Sequence, residues 1–222
     1  QISSEQWEQL NVLYHHVTNE GSSVSREALP DLLQAIIAGV HLLQGVTDST
    51  MPHGEGWQFI RLGRYLERAY SHATLLDVYS SEFWNQPNRL TEGSDYLEGI
   101  GLLRSCTAFE AYCKVYTADI SPERILEFLL LNSEFPHTIR YSIESVQDAL
   151  DGLEAEARSR RVTSLHRISG RLRAALSYAD ISETILNGIG PYLRDIVRQC
   201  RDVHSKIYQL YINYSIESAL AE

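Results

Sequence analysis

Apolar residues recur every three to four positions along most of this chain, the spacing of helices that bury one face. Short β-branched runs bounded by turn signals are missing, so no strand is predicted. Helices are predicted over about 4–18, 26–45, 55–80, 95–118, 122–131, 136–158, 160–179 and 181–219. Ser3-x-x-Gln6 has the form of a capping box at the start of the first. Ser121-Pro122-Glu123 combines an N-cap, a first-turn proline and an acid against the helix dipole. Gly21-Ser22-Ser23 and Asn85-Gln86-Pro87-Asn88 read as connectors. Gly188, Gly190 and Pro191 are expected to break the last segment near its start. Beyond that break, Ile196, Cys200, Val203, Ile207, Leu210 and Tyr211 keep helical spacing. The pattern predicts an all-α fold, an antiparallel helical bundle of about seven to eight helices. No linker stands out, so one domain over residues 1–222 is expected.

The segment Gly56-Trp57-Gln58-Phe59-Ile60-Arg61-Leu62-Gly63-Arg64-Tyr65-Leu66-Glu67-Arg68-Ala69 departs from an ordinary amphipathic helix. Phe59, Leu62, Leu66, Ala69, Ala73 and Leu76 share one face, while Arg61, Arg64 and Arg68 stack on the other. Glu67 lies at the border, within one turn of Arg64. Asp77 falls inside the apolar arc, where a carboxylate needs a partner. The arginine forks suit a phosphate or carboxylate; the same residues also suit a salt-bridge network between packed helices.

Bulk properties narrow the function. A net charge of −10 over 222 residues disfavours a nucleic-acid backbone as ligand. No run approaches about 18 consecutive apolar residues, so no membrane helix is expected. Cys106, Cys113 and Cys200 form no CxxC pair and read as buried thiols of a reducing compartment. With no signal peptide in view, the cytoplasm is the expected location. The chain starts at Gln1, directly before the capping box, and is expected to be the later part of a longer protein.

Three further groups carry candidate chemistry. The segment Asp48-Ser49-Thr50-Met51-Pro52-His53-Gly54-Glu55-Gly56 reads as a polar loop at a helix N-terminus. Asp48, Thr50, His53 and Glu55 then make a candidate anion-binding loop, or an ordinary capped turn. The helix around Arg104-Ser105-Cys106-Thr107-Ala108-Phe109-Glu110 is apolar over most of its circumference and is expected to be central. There Glu67 and Asp77 are expected to oppose Arg104, and Glu110 to meet Arg64 or Arg68. Phe135-Pro136-His137-Thr138-Ile139-Arg140-Tyr141 reads as a helix start opened by Pro136. No metal site and no cofactor are expected. The one Glu-x-x-His match, Glu134 to His137, straddles a helix start, and the other histidines share no face. Ser105 and Cys106 have no histidine near in sequence, and no Gly-rich phosphate loop occurs.

At Arg61-Leu62-Gly63-Arg64-Tyr65-Leu66-Glu67-Arg68-Ala69 the chain resembles the bacterial alpha-E family, helical domains named for a Glu-Arg motif. The resemblance extends through Ile2–Asn11, Thr50–Trp57, Leu103–Tyr112 and Glu127–Pro136, in the family's order. It maps the motif to Arg64, Glu67 and Arg68, with Arg104 and Glu110 as a second block. Members are typically longer, with an earlier helix of similar sequence, so an N-terminal helical portion is expected to be lacking here. The Met51-Pro52-His53-Gly54 loop also departs from the bulkier residue and acid that members often carry.

Members are encoded beside, or fused to, circularly permuted ATP-grasp proteins and transglutaminase-like proteins. The resemblance therefore implies a non-catalytic accessory module of a peptide-ligase system, with the ATP-grasp protein as first partner and a transglutaminase-like protein as second. The alternative is an enzyme acting on amide or phosphate groups through a buried Arg/Glu cluster, with Glu67 or Glu110 as base.

Overall fold

Ser3 starts the first helix as its sequence predicts: its hydroxyl accepts from the Gln6 amide at 3.1 Å, and the Gln6 side chain accepts from the Ser3 amide at 2.8 Å. The computed structural model describes residues 2–20, 24–84, 92–117, 119–157 and 163–212, and among these there is no strand. The predicted connectors Gly21–Ser23 and Asn85–Asn88 lie outside the described residues, as does the predicted end of the last helix beyond 212. The chain forms two compact units, Gln1–Gln58 and Phe59–Glu222.

The first unit is a pair of packed helices, α1 (Ser4–His15) and α2 (Leu29–Thr50). Buried Gln6 joins them by donating to the Thr47 hydroxyl at 3.1 Å. A π-helical turn, His16–Glu20, follows α1. Trp7, Leu10, Tyr14 and Val17, spaced as a heptad seam, are exposed, as are Leu33, Ile37 and Val40 on α2. By length and composition α2 is apolar enough to cross a membrane, which amends the expectation that no segment is.

The second unit has the larger core. It contains α3 (Glu55–Trp84, from Phe59 onward), α4 (Glu92–Ser105), α5 (Phe109–Tyr116), α6 (Pro122–Leu131) and α7 (Ile139–Ala157). It is completed by α8 (Thr163–Ser177), α9 (Ile181–Leu186), α10 (Ile189–Ile207) and a π-helical turn, Tyr208–Ile212. Leu62, Leu66, Ala69, Ala73 and Leu76 are buried along α3, the face that periodicity assigns to them. On α10, Ile189, Leu193, Ile196, Cys200 and Val203 are buried at alternating spacings of four and three. Gly188 separates α9 from α10 with φ +100, a conformation natural to glycine, so the predicted break near Gly188-Gly190-Pro191 is there.

Two expectations need correction. The segment 95–118 is not one central helix. Thr107, at φ 52, ends α4 in a Schellman turn: Ala108 N–H donates to the Leu103 carbonyl at 2.7 Å and Thr107 N–H to that of Arg104 at 2.9 Å. Arg104, Ser105, Thr107, Glu110, Lys114 and Val115 are exposed. The central helix is α6, where Ile125, Leu126, Phe128, Leu129 and Leu130 are all buried. It starts at Ser121-Pro122 as predicted, with the Ser121 hydroxyl facing the Arg124 amide. Pro136, the second correction, does not open α7. Thr138 does, accepting from Tyr141 N–H at 3.2 Å while donating to the Asn132 carbonyl at 2.6 Å.

A threonine in the left-handed region is strained by its Cβ. Thr107→Gly is expected to raise unfolding stability by about 0.5–1 kcal/mol, read by denaturant titration. No gain would mean that its side chain offsets the backbone strain.

Candidate binding cleft

Helices α3 and α10 run antiparallel and hold register through side chains that ascend one as they descend the other. Near the C-terminal end of α3, Arg194 reaches Asp77 at 3.0 Å. One heptad back, Arg201 donates to the Tyr70 hydroxyl at 2.8 Å and lays its guanidinium over the same ring, 5.3 Å from the centroid. Further back, Phe59 meets Tyr211 edge to face at 4.8 Å. The half-buried Asp77 therefore has the partner its position requires. That partner is Arg194, not Arg104 as expected.

Arg68 is half-buried and engaged with the fold itself. Its Nη1 donates to the Pro136 carbonyl at 3.1 Å, and its guanidinium lies 5.3 Å from the centre of the Tyr65 ring. Burial lowers its pKa, opposed by Tyr65 and assisted by the like charge of Arg64. Tyr65 packs against Tyr141 at 5.9 Å, and burial raises the Tyr141 phenol, with Tyr65 adding to the shift and Arg61 opposing it. One turn on, His72 sits 5.9 Å from His137. Burial lowers its pKa; the His137 backbone opposes the shift and Arg68 adds to it. These contacts brace α3 against the start of α7.

The other side of α3 is open. A cleft of about 350 Å³ lies between α3 and α10, lined by Gly63, Glu67, Tyr70, Cys200, Arg201 and His204. Glu67 is exposed, and its carboxylate accepts the Ser71 hydroxyl at 3.2 Å. Arg201 and His204 are exposed on the opposite wall. Cys200 lies at the floor; burial pushes its thiol up to about 12, so it stays protonated and unreactive. Burial likewise raises Cys106 to about 11. Cys113, expected to be buried with them, is only half-buried.

The predicted site residues are divided among several places. Glu67 and Arg68 are adjacent but face different surroundings, and Asp77 lies on the α10 seam. Arg64 is half-buried, and its side chain forms no ion pair or hydrogen bond among the described residues. Arg104 and Glu110 do not join the motif: Arg104 stacks over Phe109 at 5.4 Å, and Glu110 is exposed without an arginine partner among the described residues. The expected Arg/Glu cluster is thus neither buried nor a single group.

The predicted anion loop is also corrected. Asp48 and Thr50 belong to the last turn of α2, not to a loop. Asp48 accepts from the Trp57 indole at 3.2 Å, and its carbonyl meets His53 Nε2 at 3.1 Å. His53 stacks on Trp57 at 4.0 Å, and Thr50 pairs with Ser3 at 2.9 Å. Only residues 51–54 remain as a turn, and Glu55 begins α3. Asp48, His53 and Trp57 are thus engaged with one another and Thr50 with Ser3, as in a capped turn.

With this geometry in view, the family comparison has a structural meaning. Alpha-E, described as a predicted alpha-helical domain with a conserved Glu-Arg motif, matches residues 1–212. The chain belongs to the Alpha-E family. The match runs through both compact units. No curated protein matches the chain, and no solved structure does. Sequence reasoning missed Arg194, Arg201 and His204 as neighbours of the Alpha-E motif helix. A signal was available: Arg194 and Arg201 are seven apart on α10, as Tyr70 and Asp77 are on α3.

Two expected outcomes follow from the different surroundings of the motif residues. Arg68→Met should cost about 2 kcal/mol of unfolding stability, while Glu67→Gln stays within about 0.5 kcal/mol, compared by denaturant titration. Equal losses would contradict the division. For His72, the unfolded chain takes up its proton first, near its ordinary 6.5, because the folded pKa is depressed. Its contribution is complete above that value and is lost as the pH falls through it toward the folded pKa. The stability difference between wild type and His72→Gln should therefore shrink between about pH 7.5 and 5. A constant difference would exclude the titration.

Proposed function

We propose that this Alpha-E chain is a non-catalytic helical accessory module of a bacterial peptide-ligase system of ATP-grasp type, working in the cytoplasm. It binds the ligase or the ligase's peptide substrate. The reading is carried by the unequal use of the motif charges. The half-buried Arg68 is tied to the Pro136 carbonyl and the Tyr65 ring, whereas Arg64 and Glu67 lack a charged partner among the described residues, and Glu67 borders an open cleft. Charges held in that way are available to a second molecule. The family's association with circularly permuted ATP-grasp proteins names the first candidate partner; a transglutaminase-like protein is the second.

The enzyme alternative requires Glu67 or Glu110 as a base among several arginines in a water-poor site. Both carboxylates are exposed, and neither pairs with an arginine among the described residues. Cys200, the thiol at the cleft, is held protonated. The observations favour binding over turnover.

Calorimetric titration of the full chain against a circularly permuted ATP-grasp protein, with and without ATP, tests the reading. Saturable association is expected, weakened about tenfold or more by Arg64→Glu at an unchanged unfolding midpoint. A wild-type chain that does not associate would sink the module reading.

A further inference from the structure

We infer that the cleft between α3 and α10 binds a small dipolar ligand carrying an ammonium and a carboxylate, the chemistry of a free amino acid or a peptide end. The inference rests on the reading that this module handles a peptide, and it specifies the ligand of the cleft. One wall presents the Glu67 carboxylate; the other presents Arg201 and His204. The opposed charges do not neutralise each other. Glu67 accepts only the Ser71 hydroxyl, and Arg201 donates only to Tyr70 among the described residues. A guanidinium has five N–H donors, so most of those on Arg201 remain free. The Tyr70 hydroxyl and ring fix the plane of that fork in advance, which lowers the entropy cost of clamping a carboxylate.

Charge selects among ligand classes. A phosphate or other simple anion meets Glu67, and a simple cation meets Arg201. A ligand bearing both signs satisfies both walls. The volume of about 350 Å³ lies at the lower end for ligand pockets, suited to an amino acid or a dipeptide end. Gly63 supports the assignment independently. It is an exposed glycine inside α3, and a Cβ built there meets nothing within 4 Å. Packing therefore does not require glycine, and helix propensity disfavours it relative to alanine. Its missing side chain keeps the cleft open.

The test is a titration of the isotopically labelled full chain, followed by amide NMR, with alanine, dialanine, N-acetyl-dialanine and dialanine amide. Dialanine or alanine is expected to shift the amides of Gly63, Tyr70 and His204. Capping either end of dialanine should weaken binding about tenfold. Tighter binding of dialanine than alanine identifies a peptide end as the ligand; the reverse order identifies a free amino acid. Arg201→Gln should abolish the sensitivity to amidation, and Glu67→Gln the sensitivity to acetylation. Gly63→Leu should fill the cleft and remove binding without lowering the unfolding midpoint. The proposal is overturned if neither alanine nor dialanine shifts these amides, or if both caps are harmless. A chain that binds the ATP-grasp protein but neither small ligand overturns the cleft assignment alone. One that binds dialanine but no ligase overturns the module reading and leaves the cleft assignment standing.

Discussion

The antiparallel register of α3 against α10 is the constraint on which the site depends. Each helix buries a seam of alternating four- and three-residue spacing, so the two can lie together along several turns. The seam is closed by Asp77 with Arg194, Tyr70 with Arg201, and Phe59 with Tyr211. A slip of one residue on either helix would turn both the apolar rows and these polar contacts away from each other. Tyr70 takes Arg201 from the seam, and two turns toward the start of α3 the exposed Gly63 leaves that wall bare. The cleft is therefore a product of the register and of Gly63 together.

Much of this fold is legible in the local sequence. The buried face of α3, the capping box at Ser3, the start at Ser121-Pro122 and the break at Gly188 follow from spacing and from capping chemistry. The break at Thr107 was not legible for a physical reason. Schellman turns favour glycine, and a threonine there carries no turn signal; the surrounding tertiary structure imposes the conformation. Central position was also misassigned. The segment around Arg104 has a broad apolar arc, but α6 has the denser apolar run, Ile125-Leu126 and Phe128 to Leu131, a stronger mark of burial.

The candidate site was less legible. Periodicity places Asp77 on a buried face and so demands a partner, but the demand does not say which of many arginines answers it. Arg194 lies 117 residues away, and the one hint of it is the matched seven-residue spacing of Arg194 and Arg201 with Tyr70 and Asp77. Charges close in a list of motifs also need not be close in space, as Arg104 and Glu110 demonstrate. The polar stretch from Asp48 reads as a loop because serine, threonine and aspartate suit helix ends as well as loops, and here they finish α2.

Glu67 and Arg68 are neighbours in the chain and strangers in the fold. One carboxylate stands in water beside a cleft, while the next side chain holds the Pro136 carbonyl and covers an aromatic ring. A two-letter signature of this kind is two separate constraints written side by side. The arginine answers to the architecture, through the connection between α6 and α7. The glutamate answers to the cleft it borders. A relative that kept the arginine and exchanged the glutamate would still be the same folded object, with a different correspondent.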